Sequence, residues 1–72
     1  MKMSVYEYKV IRQVRKDMFK AIDRDGINKI YRQARVWNRF HYRYAEACTQ
    51  QRYHFLNNKL KQIRLDALSA IQ

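Results

Sequence analysis

The chain has 72 residues, 47% of them hydrophobic, and its sixteen Lys and Arg against six Asp and Glu give a formal net charge of +10. With one cysteine, one glycine and no proline, it excludes a disulfide scaffold, a glycine-rich phosphate loop and the composition of a disordered segment. What remains is a single helical domain over residues 1–72, small enough to gain from self-association and basic enough to favour anionic partners.

Near the N-terminus, Ser4 followed by Glu7 is the signature of a capping box, in which a hydroxyl takes a free amide of the first turn and the carboxylate reaches back. From there Met3, Tyr6, Val10, Val14, Met18 and Ile22 recur at spacings of three and four, predicting one apolar side of a helix. Lys9, Arg12, Lys16 and Lys20 fall on the other side. The segment Asp23-Arg24-Asp25-Gly26 predicts the stop: Gly26 takes the left-handed conformation, Asp25 caps the next helix, and the chain folds back at the glycine.

The second pattern is the clearest. Ile27, Ile30, Ala34, Trp37, His41, Tyr44 and Cys48 step by three and four, which predicts one continuous helix over residues 27–48 with a core or dimer seam along it. At about 100° per residue, Arg32, Arg35, Arg39 and Arg43 cluster on the opposite side. No acidic residue occurs between Ile27 and Ala45, so the outer face carries one sign of charge.

Beyond Cys48 the apolar positions Leu56, Leu60, Ile63, Ala67 and Ile71 change phase, which a straight helix does not allow. Either a stutter carries one long helix from Ile27 to the C-terminus, or a break at Thr49-Gln50-Gln51 or at Asn57-Asn58 makes a third helix; three segments with a short second junction are expected. The predicted architecture is all-α: a helical hairpin plus a C-terminal helix, dimerising through the seam.

Catalytic and metal chemistry find little support in this pattern. On a continuous helix Cys48 stands two turns from His41, roughly 10 Å, too far for a thiol and its base. His41, His54 and Cys48 fall one short of a four-ligand Cys/His cage, and Ala34 occupies the place where a calcium loop beginning at Asp23 needs its bidentate Glu. Asp17, Glu46 and Asp66 are isolated carboxylates. No catalytic residue, metal or cofactor is expected. No apolar run approaches bilayer length and Met1 to Tyr8 lacks a signal-peptide core, so the expectation is a cytoplasmic protein with a reduced thiol and no membrane partner.

The arginine stripe is the main functional candidate, because guanidinium forks hold phosphates and carboxylates bidentately. A soluble helix face with no partner mixes Glu among its cations to gain i, i+4 pairs, and this one does not. Trp37, Phe40, Tyr44 and Phe55 read as core or interface rings rather than stacking platforms, which are usually exposed. Tyr31, Tyr42 and Tyr53 lie off the seam, available to a partner. Arg52, near the seam's extension, either marks the break or reaches an acidic group buried at an interface.

The run Tyr31, Ala34, Trp37, then Ala45, Cys48 and Arg52 resembles the pattern of the ANR family, small bacterial proteins named for negative regulation of AraC-type activators. That resemblance implies a dimeric helical repressor of virulence activators. It would bind the activator, and also the nucleoid protein H-NS, rather than read an operator. Ala34, Trp37 and Arg52 are the positions it carries over. Two functions are expected: a non-enzymatic transcriptional regulator acting by protein contact through Tyr31, Trp37 and the arginines, or a helical dimer gripping DNA or RNA phosphates with Arg32, Arg35, Arg39 and Arg43.

Overall fold

A computed structural model describes residues 2–46 and 48–71. It is all-α: α1 (Val5–Lys20), α2 (Arg24–Tyr44) and α3 (Gln50–Ala70) form a bundle 39 × 19 × 17 Å, with no strand among the described residues. No described helix is long and apolar enough to cross a membrane.

Each helix starts on a side-chain cap. Ser4 Oγ accepts from Glu7 N–H at 3.1 Å while Glu7 Oε1 accepts from Ser4 N–H at 2.8 Å, completing the capping box. Asp23 Oδ1 accepts from Gly26 N–H at 2.7 Å, and Thr49 Oγ1 from Arg52 N–H at 3.2 Å. These caps satisfy amides that have no partner within their own helix.

The first reversal differs from the expected one. α1 stops at Ala21, which is extended, and Asp23 rather than Asp25 opens α2. Gly26 lies inside the first turn of α2, with no positive φ. Its lack of a side chain matters for packing instead: a Cβ there would meet Asp23 Oδ1 at 3.1 Å and Ala21 Cβ at 3.2 Å.

Cross-bonds set the helix directions. Near the end of α2, Trp37 bonds to Tyr6 and His41 to Glu7 at the start of α1; Arg64 late in α3 bonds to Asn28 early in α2. Thus α2 runs antiparallel to both neighbours. Ile11, Met18, Ile27, Ala34, Leu56, Leu60, Ile63 and Ala67 form the apolar core between them.

Two consequences correct the expected seam. The helix ends at Tyr44 and α3 begins only at Gln50, so residues 27–48 are not one helix. Ile27 and Ala34 are buried within the single chain, and Ile30 and Trp37 pack partly against the same core, so these positions of the expected core or dimer seam serve the chain's own core. Tyr44 leaves it altogether: as the last residue of α2 it is 69% exposed. The α1 stripe holds in part: Met18 is fully buried, and Met3 and Val14 pack against the core. Glu7, Ile11 and Met18 are the buried residues of α1, whereas Tyr6 and Ile22 are exposed.

Candidate functional site

The outward face of α2 has two adjacent ridges. Arg32, Arg35, Arg39 and Arg43 are all exposed, and none forms an ion pair among the described residues. Beside them, at i, i+4 spacing, stand Val36, Phe40 and Tyr44, exposed by 48%, 54% and 69%. The Phe40 and Tyr44 rings stack, with centroids 5.9 Å apart and an 11° tilt, and the Arg43 guanidinium lies 5.7 Å from the Tyr44 centroid. A shallow depression opens between Arg32, Arg35, Val36 and Arg39.

The ring assignment thus divides. Trp37 and Phe55 pack partly against the core, as expected of structural rings, while Phe40 and Tyr44 have the exposure of a stacking platform. Tyr31 is half-buried against the core, its ring flanked by the guanidiniums of Arg35 at 5.8 Å and Arg64 at 5.3 Å. Arg64 therefore joins this surface, a contribution the α2 pattern did not reveal because it comes from α3. Tyr42 and Tyr53 stack on each other at 4.8 Å.

Arg52 does not belong to the outer face. Its Nη2 donates to Lys2 carbonyl oxygen at 2.7 Å and its Nε lies 3.2 Å from Glu7 Oε1. The reason is Glu7, whose side chain is buried: a carboxylate taken out of water needs cationic or hydrogen-bonding partners. The expectation that Arg52 reaches a buried acidic group is met, within the chain rather than between chains.

Around Glu7 the bundle is polar. Oε1 faces Ser4 N–H and Arg52; Oε2 lies 2.7 Å from His41 Nε2. Trp37 stacks on the His41 ring at 5.1 Å and 9°, and donates its indole N–H to Tyr6 hydroxyl at 3.0 Å. Burial pushes the Glu7 carboxyl up, but the Ser4 amide, His41 and Arg52 outweigh it and hold it below the ordinary carboxylate range. Burial first, and then the charge of Glu7, push the Cys48 thiol up against the opposing pull of Arg52. Deeper in, Asn38 donates to Tyr53 carbonyl oxygen at 3.1 Å and to Asn57 Oδ1 at 2.9 Å, linking α2 to α3.

The turn after Tyr44 brings Cys48 back beside His41, so Glu7, His41 and Cys48 place ligand atoms within 4.8 Å of one another. The expected separation of Cys48 and His41 applied a helical rise to a segment that is not helical. Compared with protein-family models, curated proteins and solved structures, the chain matches none. Fold and surface define a small, basic three-helix domain with an arginine–aromatic outer face.

Proposed function

We propose that this domain is a non-enzymatic nucleic-acid-binding protein of the cytoplasm, whose outer α2 face takes a single strand. Arg32, Arg35, Arg39 and Arg43 hold phosphates while Phe40 and Tyr44 offer ring faces to bases. The observation that carries this reading is the exposed Phe40–Tyr44 stack beside four arginines that have no carboxylate partner among the described residues. Rings give sequence-tolerant stacking, and guanidiniums give affinity by displacing counterions. This mode needs no second copy of the chain.

Fluorescence anisotropy with single-stranded and duplex oligonucleotides at graded salt tests it. Four phosphate contacts predict a slope of log affinity against log salt near about −3 for a single strand. Changing all four arginines to Gln should flatten that slope. Phe40→Ala and Tyr44→Ala should each weaken single-strand binding by about 1–3 kcal/mol with much less effect on duplex. No binding at low salt, or binding unchanged by the arginine substitutions, defeats the reading.

A second reading is favoured by the apolar Val36–Phe40–Tyr44 ridge, which suits the greasy side of an acidic partner helix. In it the domain is a negative regulator of transcription that contacts an AraC-type activator or H-NS, as the ANR resemblance implies. It predicts that the chain weakens operator binding by a purified activator, and that Phe40→Ala abolishes this while the chain itself binds no oligonucleotide.

A further inference from the structure

Glu7, His41 and Cys48 come from three different segments: the first turn of α1, the last turn of α2 and the link before α3. Carboxylate oxygen, imidazole nitrogen and thiolate sulfur together are the donor set of borderline divalent transition ions. Thiolate and imidazole disfavour magnesium and calcium. Three protein ligands plus one water is the usual composition of an open zinc site. We propose that these three residues form a binding site for Zn²⁺.

The surroundings are those of a metal site rather than of a simple ion pair. Glu7 Oε1 is occupied by Ser4 N–H and Arg52, which fixes the carboxylate plane, and Oε2 faces His41 Nε2. A ligating carboxylate whose other oxygen is held by hydrogen bonds is the expected arrangement around a metal. The Trp37 ring, stacked on His41, fixes the imidazole. Glu7 and Cys48 are buried, whereas the His41 side chain retains 13% exposure, giving an ion and its water a way in.

The required adjustment is small. Bonds of about 2.0–2.3 Å imply ligand atoms roughly 3.3–3.6 Å apart, so atoms within 4.8 Å need to close by about an ångström, while the 2.7 Å His41–Glu7 contact opens. Cys48 can supply much of this because it lies in the link outside the helices. On binding, the thiol proton leaves to water, and the ion takes the place of the hydrogen between His41 Nε2 and Glu7 Oε2, so that the imidazole ligates as its neutral Nδ1–H tautomer.

Titration of the full chain with Co²⁺ under a thiol reductant, with Zn²⁺ as competitor, tests the site. The expected result is a sulfur-to-cobalt charge-transfer band and tetrahedral visible bands saturating at one ion per chain, both removed by equimolar Zn²⁺. Cys48→Ser should abolish the charge-transfer band, and His41→Gln should weaken binding by more than about tenfold. Far-UV dichroism checks that each variant remains helical, and Cys48→Ser serves alone where His41→Gln fails that check. Exposed His54 is the control: His54→Gln should leave the spectrum unchanged. Absence of the band in the wild type, its persistence in Cys48→Ser, or saturation at one ion per two chains overturns the proposal.

Discussion

At one end of the bundle, where α1 and α3 finish and α2 begins, the apolar side chains of Met18, Ile27, Ile63 and Ala67 close the core. At the other, the same three helices meet around Glu7, His41 and Arg52, with the Asn38–Asn57 bond just below. Burial at the apolar end is non-directional and scales with area, so shape can vary while volume is kept. The polar end is directional: Glu7, His41, Arg52 and the Asn38 amide N–H groups have named partners, and losing one leaves another without its bond. One end supplies cohesion and the other sets register.

The sharpest contrast is between deletion and conservative replacement at the two ends. Met18→Ala, at a fully buried position, should cost about 4 kcal/mol in urea unfolding, whereas Met18→Leu should cost less than about 1.5 kcal/mol. Glu7→Gln is just as conservative in shape, yet should cost about 3 kcal/mol because it strips a buried carboxylate from Arg52 and His41. Equal costs for Met18→Leu and Glu7→Gln would erase the distinction.

The same carboxylate makes the polar end sensitive to acid. Its folded value lies below the ordinary 4.5, so between the two values the unfolded chain holds more protons and stability rises with pH. The contribution of Glu7 is therefore complete above about 4.5 and disappears as pH falls through the lowered folded value. Urea midpoints measured from neutral pH downward should fall in this window for the wild type, and Glu7→Gln should lose that part of the decline. An identical decline in both proteins would assign the acid sensitivity to other groups.

The sequence made the two ends unequally legible. Three helices, the Ser4–Glu7 box and the break before α3 were readable because capping and phase are local properties of the chain. The arginine side of α2 was readable because a single sign of charge and a strict three-four step coincide there. Glu7 was not, since its capping role already explained it and nothing local shows that a carboxylate is buried. Tyr6 lies at the surface against Trp37 and His41, and Ile22 falls outside because α1 has ended before it. Asn38 was hidden in the same way, though its place between Ala34 and Tyr42 at i+4 puts it at the seam's margin. The convergence of Cys48 on His41 depends on α2 ending at Tyr44, which no periodicity encodes.

Within the polar end, depth should grade the effects. Ser4→Ala removes the oxygen that accepts from Glu7 N–H and should cost about 1 kcal/mol. Tyr6→Phe should cost least, about 0.5 kcal/mol, although it deletes a bond between side chains 31 positions apart in sequence. The Tyr6 hydroxyl and the Trp37 indole meet at the surface, with Tyr6 55% exposed, so water replaces the phenol as acceptor and no donor is left dry. The ring itself, which tilts against both Trp37 and His41, is retained in Phe. A thermal-melt series of the two variants measures the gradient. If Tyr6→Phe destabilises as much as Ser4→Ala, the directional network reaches the surface, and the polar end has no solvated skin to separate its cost from that of the buried carboxylate.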